Sequence, residues 1–271
     1  GCREDHLGTY FSGIENYPDG GVVRTFTAEG LRRIAKNCGY EYAQMYYPYP
    51  DYKFMTCLYS EERLPKTGES SNNLRNFDRD RLQLFDEKRV FDTIIQEGQF
   101  ELFSNSYMML LGPKLEEKYV KYSNDRKPEF CIKTVFKENE HGKIIEKHPL
   151  SKEAWRHIEN TAHAYDALAK RYQDSGLVIN RCRLERANGS TEIKVGIETE
   201  EPYLSLAYVE GRTLEEILDD CLKRNDIERF GQLFDEYYKR ISYGEEEKIA
   251  DYDLIFSNIN VPENIDNAWN V

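Results

Sequence analysis

Asp251-Tyr252-Asp253-Leu254-Ile255-Phe256-Ser257-Asn258 sets two carboxylates and a carboxamide around an apolar Leu-Ile-Phe run. Asp253 is followed five positions later by Asn258, with apolar residues between them and Ile259-Asn260-Val261 after. Two oxygen-bearing side chains are then aimed at one reacting group. The plain alternative is a turn, since Asp251 and Asp253 can bond backbone two or three residues on without any chemistry. A short spacing acquires meaning only from the elements around it.

Composition narrows the classes. The 271 residues suffice for two domains and a buried core, with 39% hydrophobic and 32% charged residues. No apolar run approaches the roughly 20 residues of a membrane helix, and no signal peptide is visible behind Gly1. A net charge of −12 repels phosphate backbones and argues against nucleic acid as a partner. The six cysteines, at 2, 38, 57, 131, 182 and 221, are widely spaced without a C-x-x-C pair. That spacing suits reduced thiols in a cytoplasmic protein better than a zinc ribbon or a disulfide framework. Asn188-Gly189-Ser190 matches a glycosylation sequon, but Asn-Gly reads first as a hairpin turn.

In the first segment, His6 beside Asp5 reads as a loop histidine, Pro18-Asp19-Gly20-Gly21 marks a turn, and 22–26 is a short extended run. A helix follows, capped by Thr27, with Leu31, Ile34, Ala35 and Cys38 at helical spacing and Gly39 as its stop. Residues 40–53 alternate enough to form a tyrosine-rich strand before Pro48 and Pro50 interrupt it. Those tyrosines suit a sheet packing or a glycan-stacking platform. Residues 60–89 read as a charged surface insertion, 90–96 as a short helix and 103–111 as a buried strand, and Gly112-Pro113 marks a domain boundary.

The order of helix, Tyr46-Tyr47-Pro48-Tyr49-Pro50-Asp51-Tyr52-Lys53, insertion and final strand resembles the last third of a class I S-adenosylmethionine-dependent methyltransferase. The resemblance covers about residues 1–112 and implies the end of a doubly wound α/β sheet closed by an antiparallel strand pair. The family's glycine-rich turn after its first strand and its acidic residue after the second have no counterpart here. No methyltransferase site residue is carried over, and S-adenosylmethionine is expected only as a cofactor of a longer parent.

From residue 118 the pattern changes. Short β-prone runs at 118–123, 130–136 and 143–146 suggest an antiparallel meander, followed by a helix from Ser151 to Gly176 with an apolar stripe through Ala154, Ile158, Ala162, Tyr165, Leu168 and Tyr172. Strands at 177–184 and 203–209 precede a T-x-x-E capping box, Thr213 to Glu216, and two amphipathic helices. With the Asp253–Asn258 loop at its end, this order resembles the kinase fold in its small-molecule branch, the aminoglycoside and lipopolysaccharide kinase-like proteins.

That resemblance implies a role for each matching residue. Lys147, in Ile144-Ile145-Glu146-Lys147, stands where the family carries its phosphate-binding lysine, with Glu159 as its expected helix partner. Residues 206–211 match the interlobe hinge, Asp253 the catalytic base, and Asn258 the magnesium ligand that completes the ATP site. Two features depart from the pattern. The turn 123–129 contains no glycine, and the family's second metal-binding aspartate would lie beyond Trp269-Asn270-Val271.

Together the two resemblances imply an α/β methyltransferase end (1–112) followed by an α+β kinase-like domain (113–271). They point to a cytoplasmic bacterial transferase of surface polysaccharide or lipopolysaccharide biosynthesis that acts on a sugar or small molecule. ATP and Mg would serve the longer parent, and the chain alone is expected to be inactive. The alternatives are a pseudokinase-type binding or scaffolding module and a glycan-binding protein.

Overall fold

A computed structural model describes residues 26–70, 84–188, 200–244, 246, 249–263 and 267–271. The turn at 18–21, most of the 22–26 run, His6, Cys2 and the Gly189-Ser190 part of the sequon lie outside the described residues. The chain divides into two compact units, Gly1–Asp125 with Lys133–Gly142, and Arg126–Ile132 with Lys143–Val271. Both mix helices with antiparallel sheet.

Unit 1 begins with helix α1 (Ala28–Asn37), where Thr27 accepts a hydrogen bond from the Gly30 N–H and Glu29 sits at the positive end. Strands β1 (Ala43–Tyr49) and β2 (Cys57–Ser60), helices α2 (Glu87–Gln96) and α3 (Phe100–Phe103), and strands β3 (Met108–Leu111), β4 (Glu117–Tyr122) and β5 (Ile132–Asn139) complete it. The strand order is β3-β1-β2-β4-β5, with every pair antiparallel. Among the described residues of unit 1, the parallel pairs of a doubly wound sheet do not occur.

Three sequence expectations change here. A strand, β2, forms between the expected tyrosine-rich strand and the expected insertion, the last strand starts at Met108 and is only half-buried, and α2 starts at Glu87 with Asp86 as its cap. The sheet also continues past Gly112, because β4 pairs with β2 through Leu58 and Val120. β1 buries both faces: Met45, Tyr47 and Tyr49 meet Tyr59 and Phe100, while Tyr46 packs with Leu58, Val120 and Val135. The tyrosines Tyr46, Tyr47, Tyr49 and Tyr59 are therefore core residues, whereas Tyr40, Tyr42 and Tyr52 are exposed.

Unit 2 contains β6 (Gly142–Pro149), α4 (Trp155–Arg171), β7 (Leu177–Val178), β8 (Cys182–Asn188), β9 (Glu200–Ala207), β10 (Arg212–Thr213), α5 (Leu214–Arg224), α6 (Ile227–Ile241), β11 (Asn260–Val261) and β12 (Trp269–Asn270). β9 lies between β6 and β8, antiparallel to both. A small second sheet runs β10-β11-β12-β7, with β12 parallel to β7. Ser151 starts a 3-10 turn, Lys152–Ala154, rather than α4 itself. The capping box is complete, with Glu216 N–H donating to Thr213 Oγ1 at 3.2 Å and Thr213 N–H to Glu216 at 3.1 Å.

Two cores support this unit. Ile132, Ile158 and Leu204 pack α4 on the β-sheet. Leu214, Leu218, Leu233, Leu254, Ile259 and Trp269 join α5, α6 and the Asp253–Asn258 loop. No helix among the described residues is long and apolar enough to cross a membrane.

Candidate functional site

The loop after α6 is fixed from beneath by its apolar residues. Leu254 and Ile259 are buried, the Leu254 carbonyl accepts a hydrogen bond from Tyr237 at 2.8 Å, and the Ile259 carbonyl accepts the Leu214 N–H at 2.8 Å. Its approach is tied down by Arg171, which donates to the Tyr243 carbonyl at 3.1 Å and to that of Ile249. Asp253, Ser257 and Asn258 are left on the surface.

Within the loop the polar groups arrange one another. The Asp253 N–H donates to Asp251 Oδ1 at 2.9 Å, and the Asp253 carbonyl accepts the Ile255 N–H at 2.8 Å and Asn258 Nδ2 at 3.0 Å. This is the turn chemistry expected of Asp and Asn. It also brings the two predicted site residues together: Asn258 spends its amide nitrogen on a carbonyl that only a donor can satisfy, which leaves Oδ1 available. Magnesium takes one or two oxygen side chains and completes its octahedron with water and phosphate, and an exposed carboxamide oxygen beside Asp253 fits that requirement. Among the described residues, no group of three His, Cys, Asp or Glu is gathered for a metal.

Lys147 lies half-buried on β6, opposite Leu204 of β9. The expected partnership with Glu159 does not form, because Glu159 accepts an ion-paired hydrogen bond from Arg186 on β8 at 2.9 Å. The Lys147 charge acts instead on Asp251, His157 and Cys182. Burial, followed by the negative charge of Asp253, pushes Asp251 above the usual aspartate value, with Lys147 opposing. Burial and then the fields of Arg126 and Lys147 pull His157 below its ordinary value, with Asp253 opposing. Burial raises the Cys182 thiol. The charges of Lys147 and Asp253 thus both reach His157 and Asp251 within unit 2.

No protein-family model, curated protein or solved structure matches the chain.

Sequence reasoning did not single out His157. It lies on the first turn of α4 outside the apolar stripe, and only the fold brings it into range of Arg126 from another segment. On the other face of β6, the buried Glu146 pairs with His148 at 2.8 Å, and His148 stacks on Tyr203 with ring centroids 4.8 Å apart. The alternation of the strand thereby separates that pair from Lys147.

Proposed function

We propose that unit 2 is a kinase-like phosphotransferase domain that takes ATP with magnesium and carries a sugar or other small hydroxyl acceptor. In this reading Asp253 receives the proton of the attacking hydroxyl, Asn258 Oδ1 is an oxygen ligand for magnesium, and Lys147 faces the nucleotide phosphates. Magnesium, when bound, neutralises charge that develops on the transferring group. Unit 1 is proposed as the closing part of a methyltransferase-like domain, and the pair as part of a transferase of bacterial surface polysaccharide assembly.

The observation that carries the reading is the loop itself. Asp251, the Asp253 backbone and Asn258 are bonded into one turn, while the Asp253 carboxylate and Asn258 stay exposed and the Lys147 charge reaches Asp251. Titration calorimetry with ATP tests it. Saturable binding is expected, weakened by Lys147→Ala, weakened by Asn258→Ala only when magnesium is present, and nearly unchanged by Asp253→Asn. Absence of ATP binding would sink the phosphotransferase reading.

The Glu159–Arg186 ion pair favours a second reading, a nucleotide-binding module without transfer chemistry, since it takes up the carboxylate expected to orient Lys147. ATP binding by the longer parent with no transfer to any sugar or lipid-linked acceptor would select it.

A further inference from the structure

The segment 126–131 carries a positively charged corner into unit 2. Arg126 and Lys127 precede a 3-10 turn, Pro128–Phe130, closed by the Phe130 N–H on the Lys127 carbonyl at 2.8 Å. The Cys131 thiol lies 3.2 Å from the Arg126 carbonyl and 3.4 Å from that of Lys127. The Cys131 carbonyl accepts the Leu150 N–H at 2.9 Å, just beyond the end of β6, the strand that carries Lys147. Phe130 meets the His157 ring edge-on, with centroids 5.3 Å apart and planes at 87°. Arg126 is therefore borne by a turn tied both to the first turn of α4 and to the end of β6.

Among the described residues these cations make no direct ion pair. Arg63, Arg186, Arg212 and Lys143 each have a carboxylate partner. Among the described residues, Arg126, Lys127 and Lys147 have no carboxylate within the 4.0 Å that defines an ion pair. In a chain with a net charge of −12, acids are plentiful, so unmatched cations on tied-down segments leave room for an anion from outside. Asp253 is the acid that acts on His157 from across this corner, and it opposes Arg126 and Lys147. Burial and these two cations favour the neutral form of His157, which carries one ring N–H.

We propose that Arg126 and Lys147, whose charges both reach His157, form an oxyanion subsite for the polyphosphate chain of a nucleotide. This deepens the phosphotransferase reading and rests on it for the nucleotide. A turn without glycine keeps its backbone N–H groups away from phosphate, whereas an arginine reaches across that gap and presents a planar fork of donors matched to two phosphate oxygens. The side chain thus does in this turn what backbone amides do in glycine-rich ones.

The test is titration of the chain with inorganic tripolyphosphate, ATP and adenosine, repeated for Arg126→Ala and Arg126→Lys. Arg126 is exposed, and an unchanged urea midpoint will show that both variants fold. Arg126→Ala should weaken tripolyphosphate and ATP about 10-fold, the scale of a lost charged hydrogen bond, and leave adenosine unaffected, with Arg126→Lys recovering part of the loss. If ATP binds the unaltered chain and Arg126→Ala binds it equally well, the subsite is overturned and the phosphotransferase reading stands. If tripolyphosphate binding depends on Arg126 but ATP binds no tighter than tripolyphosphate, the subsite stands and the nucleotide reading fails. If neither ligand binds, both are overturned.

Discussion

The guanidinium of Arg240 lies 4.5 Å from the centre of the Trp269 ring, and its Nη1 donates to the carbonyls of Gly176 at 2.6 Å and Asn267 at 3.0 Å. Both side chains are buried, and Glu236 holds Arg240 Nε at 2.8 Å. One α6 residue thus joins the turn before β7 to the strand β12 that pairs with it in parallel.

Gly176 is the point at which this arrangement is least tolerant. Its φ is +81°, and a Cβ there would lie 2.8 Å from Arg240 Nη1. Gly176→Ala adds left-handed backbone strain to displacement of a buried cation, so unit 2 should lose about 2–4 kcal/mol. Urea unfolding followed by tryptophan fluorescence will measure it, and an unshifted midpoint would refute the account.

Thr213→Ala removes the hydroxyl that accepts the Glu216 N–H, and with it half of the capping box on α5. The expected loss is about 1 kcal/mol. Glu216→Ala removes the reciprocal bond, so the double variant should lose less than the sum of the two singles. Additive losses would show that the two bonds act separately.

Asp251 gives a pH signature. Its folded-state value is raised above the ordinary 3.8, so the folded chain binds more protons than the unfolded chain as pH rises from 3.8 through the raised value. Stability contributed by this group is therefore present below 3.8 and lost across that window. Asp251→Asn keeps an oxygen for the Asp253 N–H and removes the buried charge. The variant should lose less stability than the parent between pH 4 and 7, as read from urea midpoints at each pH.

Asn258→Asp tests the loop. A carboxylate has no N–H for the Asp253 carbonyl and adds a negative charge beside Asp253. A loss of about 1 kcal/mol is expected, with Asn258→Gln costing less if its longer amide still reaches. Equal midpoints for Asp and Asn at position 258 would mean that the Asn258 bond does not organise the loop.

Local patterns were readable where residues act on near neighbours. The Thr27 cap and the Thr213–Glu216 box both rely on contacts three positions apart, and the structure contains each one. The missed features are long-range. β2 was hidden because Cys57-Leu58-Tyr59-Ser60 is short and buried on both faces, so it shows no alternation, and only its pairing with β1 and β4 reveals it. Glu159 had the right helical spacing to face Lys147, but Arg186 on β8 competes for the same carboxylate, and spacing along a helix says nothing about a strand 27 residues away. Asp86 was a legible cap hidden by its place within the span 60–89, whose charged and irregular composition reads as an insertion.

The chain has two tryptophans, Trp155 and Trp269, and both lie in unit 2, whereas the buried tyrosines Tyr46, Tyr47, Tyr49 and Tyr59 lie in unit 1, with Tyr172 buried in unit 2. The two halves therefore differ in their optical labels. Selective excitation of indole will follow only the half that carries the Asp253 loop, and the phenol bands will be weighted toward the other. A single urea titration read in both channels can then show whether the halves melt together or one after the other, without a label being attached to either.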